Sequence, residues 1–188
     1  MEKLGKIFKA LEFAANRHKY QTRKGVGKIP YINHPVQVAK TLIDYGEDDT
    51  DLIVSALLHD VVEDTAQNES QVKDLSGKIL KMFGENVLLT VLEVSDNKEL
   101  PVDERKQLQI QMTPNLSDRA KKLKIADKIC NIQDIINDPP EGWPEDRKIA
   151  YIHWAKQVVN GARGLNHEMD EYFDEIYTLS LQKLQGSF

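Results

Sequence analysis

The most chemically loaded stretch of this sequence runs from Leu52 to Asp64, in which Leu52-Ile53-Val54-Ser55-Ala56-Leu57-Leu58 leads straight into His59-Asp60, then Val61-Val62 and Glu63-Asp64. The segment before His59 is apolar enough to be buried. Burying an ionised carboxylate without a partner costs several kcal/mol or shifts its pKa strongly, so Asp60, set between Leu58 and Val61, needs a cation or strong hydrogen-bond donors. A metal ion satisfies that need. Helical spacing puts Glu63 one turn after His59 and Asp64 one turn after Asp60, which lets both acids line the same cavity as the ligands.

Taken alone, His59-Asp60 reads first as a helix-end histidine beside a surface aspartate. The metal reading requires further imidazoles and carboxylates in apolar helices to close a coordination shell, and His34 and Asp127 are the natural candidates. Asp127 sits in Leu123-Lys124-Ile125-Ala126-Asp127-Lys128-Ile129, flanked by residues of core character; a surface ion pair with Lys124 or Lys128 is its alternative. His34, taken alone, reads as a capping or core histidine.

The elements that must position these residues are all helical. Leu4, Ile7, Phe8, Leu11, Ala14 and Ala15 recur at three- and four-residue steps, the stripe of an amphipathic helix that fades near Tyr20. Gln21 to Pro30, with Gly25 and Gly27, reads as an exposed basic loop. Pro35 suits the first turn of a helix, which places His34 at the mouth of a helix running to about Tyr45. Gly46 ends it, and the acidic run from Glu47 to Asp51 supplies N-cap candidates for a third helix reaching about Asp64. Further helices are expected at 70–83, 85–95, 103–113, 117–136, 144–163 and 167–184, punctuated by Gly84, Pro101, Pro114, Pro139-Pro140, Pro144 and Gly164. Strand alternation is nowhere convincing. Without a long linker or repeat, residues 1–188 are expected to form one all-α domain, a compact bundle of irregular topology.

Composition narrows the partners. The chain has 188 residues with 40% hydrophobic content, enough for one sizeable core, and carries 25 Lys plus Arg against 30 Asp plus Glu, a net charge of −5. No global positive field draws in polymeric nucleic acid, although a few positioned cations still suffice for a small phosphorylated ligand. Cys130 is the one cysteine, which excludes an internal disulfide and fits a reducing compartment. No apolar run approaches the roughly 18 residues of a membrane span, and the first residues lack a signal-peptide core. The cytoplasm is the expected location. The oligomeric state is open.

Five segments together resemble a known family. They are Gln21-Thr22-Arg23-Lys24, Pro30-Tyr31-Ile32-Asn33-His34-Pro35, Ala56 to Thr65, Lys124-Ile125-Ala126-Asp127-Lys128, and Pro140-Glu141-Gly142-Trp143 with Arg147, Tyr151 and Trp154. In this order they resemble the small alarmone hydrolases of the RelA/SpoT group, including the metazoan SpoT homologues, over roughly residues 5 to 165. The resemblance implies an HD-type helical bundle in which His34, His59, Asp60 and Asp127 bind one Mn²⁺. Ligand type alone also admits Fe²⁺, Co²⁺ or Zn²⁺. It implies further that Glu63 and Asp64 position or deprotonate the attacking water, and that guanosine tetra- or pentaphosphate loses its 3′-diphosphate as pyrophosphate, leaving GDP or GTP. For that substrate Arg23, Lys24 and Arg147 can supply cations, and Tyr31, Asn131 and Tyr151 are further pocket candidates from matching positions. With no sequence after Phe188 for the synthetase and regulatory modules of the long enzymes, the chain is expected to degrade the alarmone without making it.

Asp134 departs from the residue types of the long enzymes, which leaves base recognition open. Lys98, Arg105 and Lys106 read as a solvated basic face, His18, His153 and His167 as packing or surface residues, and Trp143 and Trp154 as core. Two other functions compete. One keeps the metal and changes the substrate, for example to NADPH losing its 2′-phosphate; the other is a catalytically silent alarmone sensor, against which the intact ligand set argues.

Overall fold

In a computed structural model, which describes residues 2–186, the chain runs through nine α-helices: α1 (Glu2–Arg17), α2 (Asn33–Asp44), α3 (Thr50–Thr65), α4 (Glu69–Phe83), α5 (Glu85–Val94), α6 (Val102–Met112), α7 (Asp118–Asn137), α8 (Glu145–Asn160) and α9 (His167–Gln185). A 3₁₀ turn, Thr113–Asn115, joins α6 to α7. The described residues contain no β-strand, only isolated bridges. The expected helices are all present. Met1, Ser187 and Phe188, which belong to the expected 1–188 domain, lie outside the described residues.

Sequence chemistry sets the ends. Asp49 caps α3 by accepting from the backbone N–H groups of Asp51 and Leu52, Asn68 caps α4, Ser117 caps α7 and Asn166 caps α9. Each supplies an acceptor to N–H groups that have no partner inside the helix. Gly84, at φ +94°, takes the left-handed backbone that separates α4 from α5.

α3 is the axis of the bundle, packed by α1, α2, α4, α5 and α7. Its residues Leu52 to His59 are all buried, as are Val61 and Val62. A helix apolar on every face can persist only when surrounded, and α3 is surrounded. α7 lies beside it and carries a second wholly buried run around Leu123, Ile125, Ala126 and Ile129. The hydrophobic core is one continuous cluster drawing on α1 to α5 and α7 to α9. Thus the two polar intrusions, His59-Asp60 on α3 and Asp127 on α7, face each other across the centre of the fold.

Most of the 21–30 loop is exposed, as expected, but it is held in place by hydrogen bonds. Thr22 bridges Pro30, and the Arg23 N–H donates to Ile29 O at 2.8 Å while the Tyr31 N–H donates to Gln21 O at 2.9 Å. The loop then docks on the C-terminal end of α7 through Gly27 N–H to Asp138 Oδ1 at 3.0 Å and a bridge from Gly25 to Pro140. Gly25 is buried and Arg23 half-buried.

Candidate active site

Side chains from three helices converge. His34 enters from the first turn of α2, His59 and Asp60 from the middle of α3, and Asp127 from the middle of α7. One ligand atom each from His34, His59 and Asp127 lies within 4.8 Å of the others. Asp60 Oδ2 completes the ring, 3.1 Å from His59 Nε2 and 3.8 Å from His34 Nε2, while Asp127 Oδ1 is 3.1 Å from His34 Nε2 and 3.8 Å from His59 Nε2.

The donor chemistry fits a divalent cation. His59 Nδ1 donates to Ala56 O at 2.8 Å, which turns Nε2 toward the carboxylates, and that Nε2 is buried without a hydrogen-bond partner. Burial opposes charge on His59, yet Asp60 and Asp127 outweigh it and raise its pKa to about 9, so the protein groups alone draw a proton into the ring. A divalent cation held there would take the place of that proton. Burial also resists ionisation of Asp60 and Asp127, but facing His59 for the first and Lys128 for the second hold both carboxyls well below the usual carboxylate range. The alternative read from the sequence for Asp127 is therefore half right: its Oδ2 accepts from Lys128 at 2.9 Å while Oδ1 faces the imidazoles.

Two adjoining spaces open from this ring. The metal chamber is lined by His34, His59, Asp60, Asp127, Glu63 and Lys124, among others. Glu63 Oε2 accepts from the Asp96 N–H at 2.8 Å, and burial raises its pKa to about 7, with Asp60 adding to the effect. Lys124, deeply buried, donates to Val94 O at 3.3 Å; burial lowers its pKa to about 8, aided by Lys128. The second space is a cavity of about 470 Å³ bordered by Arg23, Lys24, Tyr31, Asn131, Tyr151 and Asp64. Glu63 lines the metal chamber and Asp64 the adjoining cavity, and His34, Tyr31, Arg23 and Asn131 border both spaces.

Arg23 is a fixed cation. Its Nε donates to Asp134 Oδ2 at 2.9 Å, a terminal nitrogen donates to the same oxygen and to Asn131 Oδ1 at 2.7 Å, and the guanidinium lies 5.5 Å from the Tyr31 ring centroid. Asn131 in turn donates to Asp127 Oδ1 at 2.7 Å, which ties the cavity to the metal ring. Lys24 and Tyr151 border the cavity as expected. Arg147 does not: it is exposed and packs 4.3 Å from the ring centroid of Trp143.

Three sequence readings are corrected here. Lys98 is not on a remote solvated face but borders the cavity and pairs with Asp64 Oδ1. Arg105 reaches Asp96, 4.0 Å from its Oδ2, behind the Glu63 clamp. Trp143 is a cavity wall rather than core. Lys98 escaped detection because it lies in the exposed turn after α5, whose local pattern carries no register toward α3; Lys124 and Lys128 escaped because lysine is read as surface until packing buries it.

Comparison with known proteins agrees with this geometry. Residues 10–152 match the family model described as HD domain. Over 172 residues the chain is 42% identical to the guanosine-3′,5′-bis(diphosphate) 3′-pyrophosphohydrolase MESH1 of Xenopus tropicalis and 41% identical to that of Homo sapiens, covering 91% of this chain and 92% of each relative. A solved structure described as a metazoan ortholog of SpoT that hydrolyzes ppGpp superposes with a TM-score of 0.85 at 38% identity, covering 93% of this chain and 94% of the other. The chain belongs to the HD domain family, in the branch that holds the MESH1 proteins.

Proposed function

We propose that this chain is an Mn²⁺-dependent guanosine 3′,5′-bis(diphosphate) 3′-pyrophosphohydrolase, cleaving the alarmone to GDP or GTP and pyrophosphate. The observation that carries the reading is the convergence of His34, His59, Asp60 and Asp127 beside Glu63, in a chamber that opens to a cation-bearing cavity of nucleotide size. The same names attach to the MESH1 relatives.

In this reading the four ligands hold the cation, which supplies Lewis-acid polarisation of the phosphoryl oxygens and of water. Glu63 faces that chamber with its carboxylate pinned by the Asp96 N–H, and takes a proton from the attacking water. With a pKa near neutrality it can return the proton to the departing 3′ oxygen. Arg23, preset by Asp134 and Asn131, offers a planar face to the base and charge to the phosphates, and Lys24 and Lys98 stand at the rim. Tyr151 and Trp143 give the nucleoside an aromatic wall. Arg147 acts only from outside, by bracing Trp143.

One continuous core supports treating residues 1–188 as one HD-type hydrolase domain. The net charge of −5 argues for a small nucleotide rather than a nucleic-acid polymer as partner, and the lone buried Cys130 for the reducing cytoplasm. No described helix is long and apolar enough to cross a membrane.

Incubation of the purified chain with guanosine tetraphosphate, with and without Mn²⁺, followed by nucleotide separation, tests substrate, reaction and metal together. GDP and pyrophosphate should accumulate only with metal. Intact alarmone alongside phosphate release from NADPH would transfer the site to the 2′-phosphate reading, and tight binding without turnover would make it a sensor.

A further inference from the structure

Lys124 lies on α7 about one turn before Asp127, is 6% exposed and lines the metal chamber. Its ammonium makes one hydrogen bond, to Val94 O at 3.3 Å, and no carboxylate among the described residues pairs with it. An ammonium has three donors, so two of them are left without an acceptor in the protein. Lys128, also buried, shows the contrast: it donates to Asp127 Oδ2 at 2.9 Å and stands 4.7 Å from the ring centroid of Trp154. One lysine is satisfied by its surroundings and the other is not.

The acids that share the chamber with Lys124 are engaged elsewhere. Glu63 Oε2 accepts from the Asp96 N–H at 2.8 Å, while the Asp96 carboxylate accepts from Gln109 Nε2 at 2.9 and 2.8 Å and faces Arg105. A buried charge without a partner is costly, and a methionine would fill the same space without that cost. Packing does not account for a lysine here, whereas an anion entering the chamber does. There is room for one: the chamber holds about 130 Å³, several times the roughly 30 Å³ share of a single water, and its end at Lys124, Val94 and Gln109 does not border the larger cavity. Burial lowers the Lys124 pKa to about 8, so the ammonium keeps its proton at neutral pH, and an anion in contact would hold that proton more firmly.

We propose that Lys124 forms a subsite for the distal phosphate of the 3′-diphosphate: with the nucleoside in the larger cavity and the first 3′ phosphorus at the metal ring, the second phosphate reaches past the ring to this ammonium. This deepens the function proposed above and rests on it. Water adds to the phosphorus bonded to the 3′ oxygen, that phosphorus–oxygen bond breaks, and the 3′ oxygen leaves with a proton. The distal phosphate stays joined to the first as pyrophosphate, so Lys124 neither gives nor takes a proton. It supplies a charge that only a diphosphate is long enough to use, and a phosphomonoester such as the 2′-phosphate of NADPH would leave it unfilled.

Two variants test it. Lys124→Met keeps the length and deletes the charge, and Lys124→Gln also keeps a donor for Val94 O, so the question stands if the first fails to fold. With Mn²⁺, kcat/KM for guanosine tetraphosphate should fall about 10- to 100-fold further than kcat/KM for the analogue bearing a single 3′-phosphate. The inhibition constant of pyrophosphate should rise about tenfold relative to that of orthophosphate, both measured at fixed free Mn²⁺. Equal losses on the two substrates, or pyrophosphate inhibition unaltered by the substitution, would overturn the subsite. Calorimetric titration of the Mn²⁺-loaded protein with pyrophosphate keeps the two readings apart. A wild type that binds pyrophosphate more tightly than either variant but leaves the tetraphosphate intact counts against the proposed function and for the subsite, whereas an active wild type whose variants bind pyrophosphate as tightly counts against the subsite alone.

Discussion

Tyr31 Oη donates a 2.6 Å hydrogen bond to Asp60 Oδ2, the carboxylate oxygen that also faces both imidazoles. Burial, and then the charge of Asp60, push the phenol far above its ordinary range, so it stays a donor at any working pH. A group that orients a ligand from behind typically contributes a factor of about 10 to 100 in metal affinity. Tyr31→Phe should weaken Mn²⁺ binding by that amount in calorimetric titration, and hydrolysis should recover substantially when Mn²⁺ is raised. Unchanged affinity would leave Tyr31 as a cavity wall only.

The separation of Glu63 from Asp64 gives different kinetic signatures. Glu63→Gln removes the proton acceptor in the metal chamber and should lower kcat by about 10²- to 10⁴-fold with little change in KM. Asp64→Asn, at the second acid expected to act on the attacking water, should lower kcat as well, and because Asp64 borders the cavity and pairs with Lys98 it should also raise KM. Burial raises Glu63 to about 7, and its ionised form is the active base, so kcat should rise with pH up to a limb at or below that value, because a bound cation favours the carboxylate. The limb should vanish in Glu63→Gln.

The same group links to stability in the metal-free chain. Its folded pKa, about 7, lies above the ordinary 4.5, so the protonated carboxyl is the form the fold favours. That contribution is complete below the ordinary value and declines as pH rises through about 7. Thermal melts of metal-free protein should lose stability over that window, and Glu63→Gln should be flatter across it. Equal pH slopes for the two proteins would remove Glu63 from the account.

How much of this was legible beforehand follows from where information is local. The run before His59 announced a surrounded helix because seven successive buried positions leave no solvent face, and Asp60 announced a cation because no carboxylate sits there unpaired. Helix ends were legible where a cap or glycine marks them, as at Asp49 and Gly84. By contrast, the contact of Lys98 with Asp64 spans 34 residues, and the grip of Asp134 on Arg23 spans 111. Such pairings depend on how α3, α7 and two loops pack, which no periodicity encodes. The exposed-loop reading held for most of the segment, Lys24 included, and missed Arg23, which looks solvated until Asp134 is brought beside it.

Arg23 offers a test of that preset geometry. Lysine keeps the charge but cannot make the forked contact to Asp134 and Asn131. Arg23→Lys should therefore raise KM for the alarmone by about tenfold while leaving Mn²⁺ affinity unchanged, measured by steady-state kinetics and titration on one preparation. If KM stayed at the wild-type value, charge alone would suffice and the fork would have no part in binding.

Gly25 is where the loop and α7 come closest. A Cβ built there would meet Asp138 Oδ2 at 2.0 Å, its Cγ at 2.3 Å and its backbone oxygen at 2.6 Å. The carboxylate could swing aside, but Asp138 also holds the Gly27 N–H, and its backbone oxygen cannot retreat without disturbing the end of α7. Gly25→Ala must then push the loop outward, at about 1–3 kcal/mol for an overpacked contact. Because the strain falls on the segment bearing Arg23 and Lys24, KM should rise severalfold while the metal ring stays intact, and the melting temperature should drop by several degrees. A crystal structure of the variant with the loop still docked, together with an unaltered KM, would mean that α7 yields instead and that the loop does not depend on this close approach.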